Sequence, residues 1–434
     1  MKKIVFFVQT KKAIGGSQIQ FLDFASYIAR NTDYEAYYIN HPHPIVEEKY
    51  VDTGIHFEDV DHCDYDQFED ALFFTPINYL FYLLAKIRHL KNAKICLYVY
   101  HPDVLDWLNA QVLIKDRNLE ELCQLILDTN SYCFMDLSNY LSTKRRVSLP
   151  WEERYVPVTI HSEDADIAAP SVSLPAVDPN KPLRIGWLGR LDNDKIHSML
   201  NVADNLMDDP DVEHVDFHII GDGNAKRRIN IRDYSPKIRF YFTSYMYGEE
   251  RDRYIQENVD IMVAMGISAI DTAMLGVPTV IPIVSPKPFW TDSFVYVQDL
   301  NKYSLGWNIE DNANMGCVTH TLHEVISDIY AGKKQQMGDE GREFCGKTFS
   351  LASASTELIR LLENTELTVE KCLKSKPVVQ EMKTFDGYRK LRPGRDFPAF
   401  HEFVARANQA SQKSFLEKIK MLLSLVIRKI KGNK

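Results

Sequence analysis

No C-x-x-C pair occurs in this sequence, and its seven cysteines, at positions 63, 96, 123, 133, 317, 345 and 372, are odd in number and scattered. That argues against a disulfide framework or a thiolate zinc site, and for reduced thiols in a cytosolic setting. Long apolar runs are missing too. The start, M-K-K-I-V-F-F-V-Q-T, has a basic tip, but its apolar run ends after five residues, too short for a signal-peptide core. No other stretch reaches the roughly 18 apolar residues of a membrane span. The expected location is the cytoplasm, or a peripheral position at the inner face of the cell membrane. A basic excess is likewise absent. The 51 Lys and Arg face 60 Asp and Glu, a formal net charge of -9, which argues against a dedicated nucleic-acid binder.

What remains is ordinary globular material. At 434 residues, 45% hydrophobic and 26% charged, the chain suits two domains with sizeable cores. K-I-V-F-F-V (3–8) reads as a buried parallel strand. A glycine loop, A-I-G-G-S, and the helix-spaced Q-I-Q-F-L-D-F-A-S-Y-I-A follow it, the opening of a doubly wound sheet. Further strands are expected at 36–39, 95–100, 131–135 and 154–158. Residues 161–183 hold four prolines and no helical stripe, as a linker would. The pattern then restarts, with strands at L-R-I-G-W-L, V-D-F-H-I-I, I-R-F-Y-F-T, V-D-I-M-V-A and T-V-I-P-I separated by helix-permissive segments. The expected fold class is α/β: two Rossmann-like doubly wound domains, 1–160 and 184–350, facing a cleft. The linker joins them, and a helical C-terminal extension, 351–434, follows.

Three loops at carboxyl ends of the later strands could carry chemistry, because that edge of an open αβ sheet is where ligands sit. Gly189-Arg190 and, five residues on, Lys195 combine a guanidinium fork with a mobile ammonium, a pair suited to a diphosphate; two solvated loop cations are the alternative. Gly221-Asp222-Gly223 with Lys226 makes G-x-G-x-x-K, a weak match to a dinucleotide fingerprint and equally a plain tight turn. In A-M-G-I-S-A-I-D-T-A-M-L-G-V-P-T, Ser268 and Asp271 fit a capping box. Gly266, Ile267 and Ser268 would also leave amides pointing out of a helix start, a seat for phosphate. In the first half, Tyr100-His101-Pro102-Asp103 follows a strand, and His41 and His43 in N-H-P-H-P look like a metal pair. With no neighbouring Cys or regularly spaced third ligand, a proline-rich loop is the better reading.

The order I-G-W-L-G-R-L-x-x-x-K, I-I-G-D-G, then V-D-I-M-V-A-M-G-I-S-A-I-D-T-A-M-L-G-V-P resembles the donor half of GT-B glycosyltransferases, nearest the retaining, family-four-like enzymes of bacterial surface-polysaccharide assembly. A-I-G-G-S-Q-I-Q-F-L-D-F-A resembles their acceptor-half glycine loop and first helix, and the likeness spans roughly residues 1–365. It implies transfer of a sugar from a nucleoside-diphosphate donor to a glycan or lipid-linked saccharide, with no metal or cofactor and with retention by front-face attack. On that likeness Arg190 and Lys195 hold the leaving diphosphate. Gly15, Gly16, Gly189, Gly221, Gly223, Gly266, Ile267 and Ser268 face the donor, Asp271 holds its ribose, and His101 reaches the sugar, with Asp103 an outside candidate. The first acid of the family's Glu-x7-Glu pair falls on Val263 and is missing.

Residues 413–434 carry an apolar stripe and seven Lys or Arg against one Glu, the pattern of a basic amphipathic helix lying in an anionic membrane surface. Docking on the protein itself, or on a second copy in a homo-oligomer, is the alternative. A catalytically silent GT-B-like scaffold subunit is the rival from another class, and Val263 is its best argument. A sugar-nucleotide epimerase is a third reading that no cluster of residues requires.

Overall fold

A computed structural model describes residues 2–10, 16–43, 46, 49–106, 108, 116–160, 173–193, 195–243 and 246–391. Its first sheet holds β1 (Lys3–Phe7), β2 (Glu35–Asn40), β3 (His56–Asp59), β4 (Leu72–Pro76), β5 (Lys94–Val99) and β6 (Tyr132–Phe134). They run parallel in the order β3-β2-β1-β4-β5-β6. Ile4, Val5, Phe6 and Phe7 are all fully buried, because a central parallel strand is covered on both faces and β-branched or aromatic side chains fill them. Helices α1 (Gly16–Asn31), α2 (Leu80–Ile87), α3 (Asp116–Asp128) and α4 (Leu137–Arg146) cover the sheet. The buried stripe of α1, Phe21, Leu22, Phe24, Ala25 and Ile28, packs with Phe6, Phe74 and Tyr98.

The second sheet holds β7 (Leu183–Leu188), β8 (Val215–Ile220), β9 (Ile238–Thr243), β10 (Ile261–Ala264), β11 (Thr279–Pro282) and β12 (Phe294–Tyr296). Its order is β12-β11-β10-β7-β8-β9, parallel except for β12. The helices α5 (Ile196–Asp208), α6 (Gly248–Asn258), α7 (Ile267–Met274) and α8 (Lys334–Thr348) belong to this half. The expected α/β architecture of two doubly wound units is what the chain adopts.

Three strands went unanticipated. β3 is polar (H-F-E-D) and lies at a sheet edge, β4 runs straight into a 3-10 turn at Ile77, and β12 is only three residues long. The strand expected at 154–158 is a single bridge between Tyr155 and Phe134; Pro157 has no N–H with which to extend the ladder.

The C-terminal helices do not stand apart from the rest. α9 (Leu351–Asn364) packs on α1, β4 and β5 through Leu351, Leu358, Leu361 and Leu362. The chain beyond it stitches to the first sheet, Ile95 N–H donating to Leu367 O at 2.8 Å and Val369 N–H to Ala93 O at 3.0 Å. α10 (Val369–Lys374) and α11 (Lys376–Leu391) follow, and α11 lies against α2 and α3 with Phe385 edge-on to Tyr82 at 4.9 Å. The described part of the expected extension is thus an outer layer of the first half. Among the described residues no helix is long and apolar enough to cross a membrane. Residues 413–434, and with them the expected membrane-binding tail, lie outside the described residues.

The halves also touch directly. The amides of Leu137 and Ser138, at the start of α4, donate to Lys302 O and Ser304 Oγ, each at 3.1 Å. Lys302 and Tyr303 have φ of 46° and 68°, left-handed values that side chains rarely adopt, and these turn the Lys302 carbonyl toward α4. Lys302 Nζ also pairs with Glu153 at 2.7 Å, and Arg145 with Asp311.

Candidate functional site

In the second sheet the chain winds outward from β7 in one direction to β8 and β9, and in the other to β10 and β11. Between β7 and β10 the connections part to opposite sides, and the gap they leave at the carboxyl edge is where open αβ sheets bind ligands. Leu188 of β7 is in register with Ala264 of β10. Gly189-Arg190 and Met265-Gly266 therefore leave neighbouring strands, roughly 5 Å apart, at the same edge. Sequence reasoning placed both motifs there, and the topology agrees.

The glycines of this edge shape it. A Cβ on Gly221 would lie 2.3 Å from Gly189 O, and one on Gly223 would lie 2.4 Å from Leu191 O. Leu191 N–H donates to Asp222 O at 3.0 Å and Ala225 N–H to Leu191 O at 2.9 Å, so the two loops are zipped together. The amides of Gly189, Gly221 and Gly223 are taken by Ile220 O, Thr243 O and Asp222 Oδ1. These three residues permit close backbone approach at the edge, and their amides serve the loops themselves. Arg190 is 60% exposed, with Nη1 3.1 Å from Asp192 Oδ2. Lys195 is the residue before α5 and has no capping role.

The start of α7 behaves differently. Gly266, at φ 61°, gives its N–H to Leu305 O at 2.8 Å, so its contribution is the turn. Among the described residues, the amides of Ile267 and Ser268 donate to nothing. Unsatisfied amides at the positive end of a helix attract an anion. The expected capping box is absent: no side chain caps α7. Asp271 instead pairs with Arg251, Nη1 to Oδ2 at 2.8 Å. Burial alone would depress the Arg251 guanidinium, but Asp271 and Asp252 outweigh it and raise it. The sequence passes over Arg251, which sits among the charges of E-E-R-D-R; its signal is position, in the first turn of the helix after β9.

Val263 is fully buried inside β10, flanked in register by Trp187 and Val280 and packed in the core of the second sheet. The strand continues to Ala264 and Gly266 follows at once. The place read as a missing acid therefore points into the core and away from any cleft.

From the first half, α1 begins at Gly16 directly against α7: a Cβ on Gly16 would sit 2.9 Å from Ile267 Cδ1. Two helix starts, one from each half, thus meet beside the switch point. Gly15 lies outside the described residues.

No protein-family model and no curated protein matches the chain. Solved structures do. HepE from Anabaena, in complex with UDP, is 9% identical at a TM-score of 0.50, over 84% of this chain and 100% of its own. A glycosyltransferase from Rickettsia africae is 12% identical at 0.50, over 83% and 98%. WaaB, a lipopolysaccharide outer core galactosyltransferase in its apo form, is 11% identical at 0.50, over 82% and 99%. The fold is GT-B. At identities this low, the likeness is one of architecture.

In the first GT-B lobe, His101 follows β5 at the carboxyl edge, 41% exposed, with Nδ1 accepting the Asp103 N–H at 3.2 Å. His41 comes together with Asp59 and Asp61, their ligand atoms within 4.8 Å of one another, a grouping the sequence could not show. Cations already meet both acids: His62 Nδ1 lies 2.6 Å from Asp59 and Lys86 Nζ 3.1 Å from Asp61. Burial pushes the Asp59 carboxyl up, but the Asp61 amide and His62 outweigh it and hold it below its usual range. The cluster is an ion-pair network at the rim of a cavity of about 230 Å³ lined by Tyr38, Asn40, His41, His43 and Phe57.

Proposed function

We propose that the chain is a glycosyltransferase that moves a sugar from a nucleoside-diphosphate donor to a saccharide or lipid-linked saccharide in cell-surface polysaccharide assembly. The observation that carries this is the pair of unsatisfied amides, Ile267 and Ser268, at the β7/β10 switch point, on a helix start that touches the start of α1 through the Ile267 side chain. The fold shared with HepE, which binds UDP, supports the choice of a nucleoside diphosphate.

The chemical task is to stabilise charge growing on the departing β-phosphate while the anomeric carbon becomes cationic. Preorganised donors do this without reorganising at the moment of reaction. Ile267 and Ser268 supply fixed amides, and Arg190 and Lys195 supply mobile charge from the neighbouring loop. With that positive charge in place the reaction proceeds without a metal, and His101 directs its Nε2–H toward the sugar. Attack on the face the diphosphate leaves gives retention. Asp271 binds the ribose.

Arg190→Ala, measured by transfer assay with a panel of nucleoside-diphosphate sugars, should lower kcat by about a hundred- to a thousand-fold, the effect of one lost preorganised donor. Wild-type protein whose melting temperature is unmoved by every nucleoside diphosphate in the panel would overturn the reading, because a bound ligand raises apparent stability by mass action. The carboxyl end of β10, where Ala264 and Met265 stand and no carboxylate does, favours a second reading, a catalytically silent GT-B subunit. That protein would bind nucleotide and transfer nothing, alone or with the Arg190→Ala change.

A further inference from the structure

Arg251 lies in the first turn of α6, at the same carboxyl edge as the start of α7. Its Nε and Nη2 reach Asp252 Oδ1 at 2.7 Å, and its Nη1 reaches Asp271 Oδ2 at 2.8 Å. The Arg251 and Asp271 side chains are 21% and 24% exposed, so the pair lies in a depression, neither sealed in the core nor out on the rim. Asp271 Oδ1 accepts no hydrogen bond among the described residues. The guanidinium thus grips one oxygen of the carboxylate and leaves the other open.

We propose that Arg251 is a positioning residue for the nucleoside-diphosphate donor: it holds Asp271 so that Oδ1 meets the ribose hydroxyls. The inference rests on the function proposed above. Asp271 is one methylene shorter than a glutamate and on its own would spread over several rotamers. A charged bond to one oxygen removes that freedom before the ligand arrives, which is how a supporting residue prepares a binding group. Charge argues the same way. Asp252 and Asp271 are two carboxylates beside a seat for a diphosphate. Without Arg251 both would repel the ligand; with it the trio carries a single negative charge. The ion pair is not needed to fasten α6, because Ile255 already anchors that helix in the core.

The test is calorimetric titration of the full chain with UDP, GDP, ADP and the 2′-deoxy form of whichever binds, on wild type, Arg251→Ala and Arg251→Lys. A hydrogen bond to a charged group predicts at least about tenfold weaker binding for Arg251→Ala, with Arg251→Lys recovering most of it. In the transfer assay KM should rise and kcat stay level. Against the 2′-deoxy nucleotide, Arg251→Ala and wild type should differ by less than about threefold. A folded Arg251→Ala that binds the ribonucleotide as wild type does, or that loses equally toward the deoxy form, overturns the positioning role and leaves the donor reading standing. A wild type that binds none of the three nucleotides overturns both. Asp271→Asn, which keeps the shape and removes the charge, separates loss of the ion pair from misfolding: it should weaken nucleotide binding with an unchanged melting temperature.

Discussion

Asp260 anchors the end of β10 opposite the candidate site, and its removal is the sharpest test of how the second lobe is held. The residue is 2% exposed and accepts from Arg184 N at 3.1 Å, Arg184 Nε at 3.0 Å, Arg184 Nη2 at 2.6 Å and Lys334 Nζ at 2.7 Å. Lys334 is itself buried and also donates to Pro175 O. One carboxylate therefore ties β7, β10, α8 and the linker to each other. Truncating one member of a buried ion network costs about 3–5 kcal/mol, because the partner charge is left in the core uncompensated. Asp260→Ala should lose that much by urea denaturation followed through tryptophan fluorescence. Lys334→Met in the Asp260→Ala background should recover part of it, since the stranded charge is then gone. The acid side has a definite sign. Burial pushes the Asp260 carboxyl up, but Arg184 and Lys334 outweigh it and hold it below its usual range. A depressed carboxyl contributes stability above its unfolded value, about 3.9, that is lost as pH falls through the folded value. Asp260→Asn should therefore flatten the loss of stability below about pH 4. A change of less than about 1 kcal/mol in Asp260→Ala would refute the reasoning.

Two further outcomes follow from the same coordinates. In Gly223→Ala the new Cβ would meet the Leu191 carbonyl, a backbone atom that cannot swing aside, at 2.4 Å. The loop carrying Arg190 must then shift, at about 1–3 kcal/mol in stability, and UDP affinity by calorimetry should fall at least tenfold; unchanged affinity would uncouple the two loops. Burial raises the Asp136 carboxyl to about 7, against bonds from Asn139 and Ser138 that lower it. Because this folded value lies above the unfolded one, stability falls as pH rises from about 4 to about 7 and is level beyond. Asp136→Asn should remove that slope in melting temperatures taken from pH 4.5 to 8.

Most of the architecture was legible because the central strands announce themselves. K-I-V-F-F-V beyond its first lysine, and L-R-I-G-W-L beyond Arg184, offer nothing polar to either face, and only a covered parallel strand needs that. β3 and β12 lie at sheet edges, where one side of the ladder is free and composition is only weakly constrained. The role of α9 was hidden for another reason. Its leucines at 351, 358, 361 and 362 mark an apolar face, but periodicity does not say which sheet a face covers, and α9 covers the first one, far upstream in the chain. At the site, the sequence placed Gly189, Arg190, Lys195 and Ile267 at one edge because motif order follows strand order. It could not assign the amides. Whether a glycine N–H is open or taken depends on a carbonyl elsewhere in the chain, such as Leu305 O for Gly266.

The same distinction settles how Val263 should be understood. Counted along the sequence, it stands eight residues before Asp271 and looks like a lost acid. In the fold, residues 261–264 are strand and the next helix starts at Ile267, so only Met265 and Gly266 separate the two elements. A carboxylate at position 263 would lie among the core residues of the second sheet, before the turn at Gly266. The short connection brings the Ile267 and Ser268 amides close to the end of β10, in register with the end of β7 from which Gly189 and Arg190 leave. What the start of α7 brings to this edge is the pair of open amides, Ile267 and Ser268, and Asp271 with its bond from Arg251.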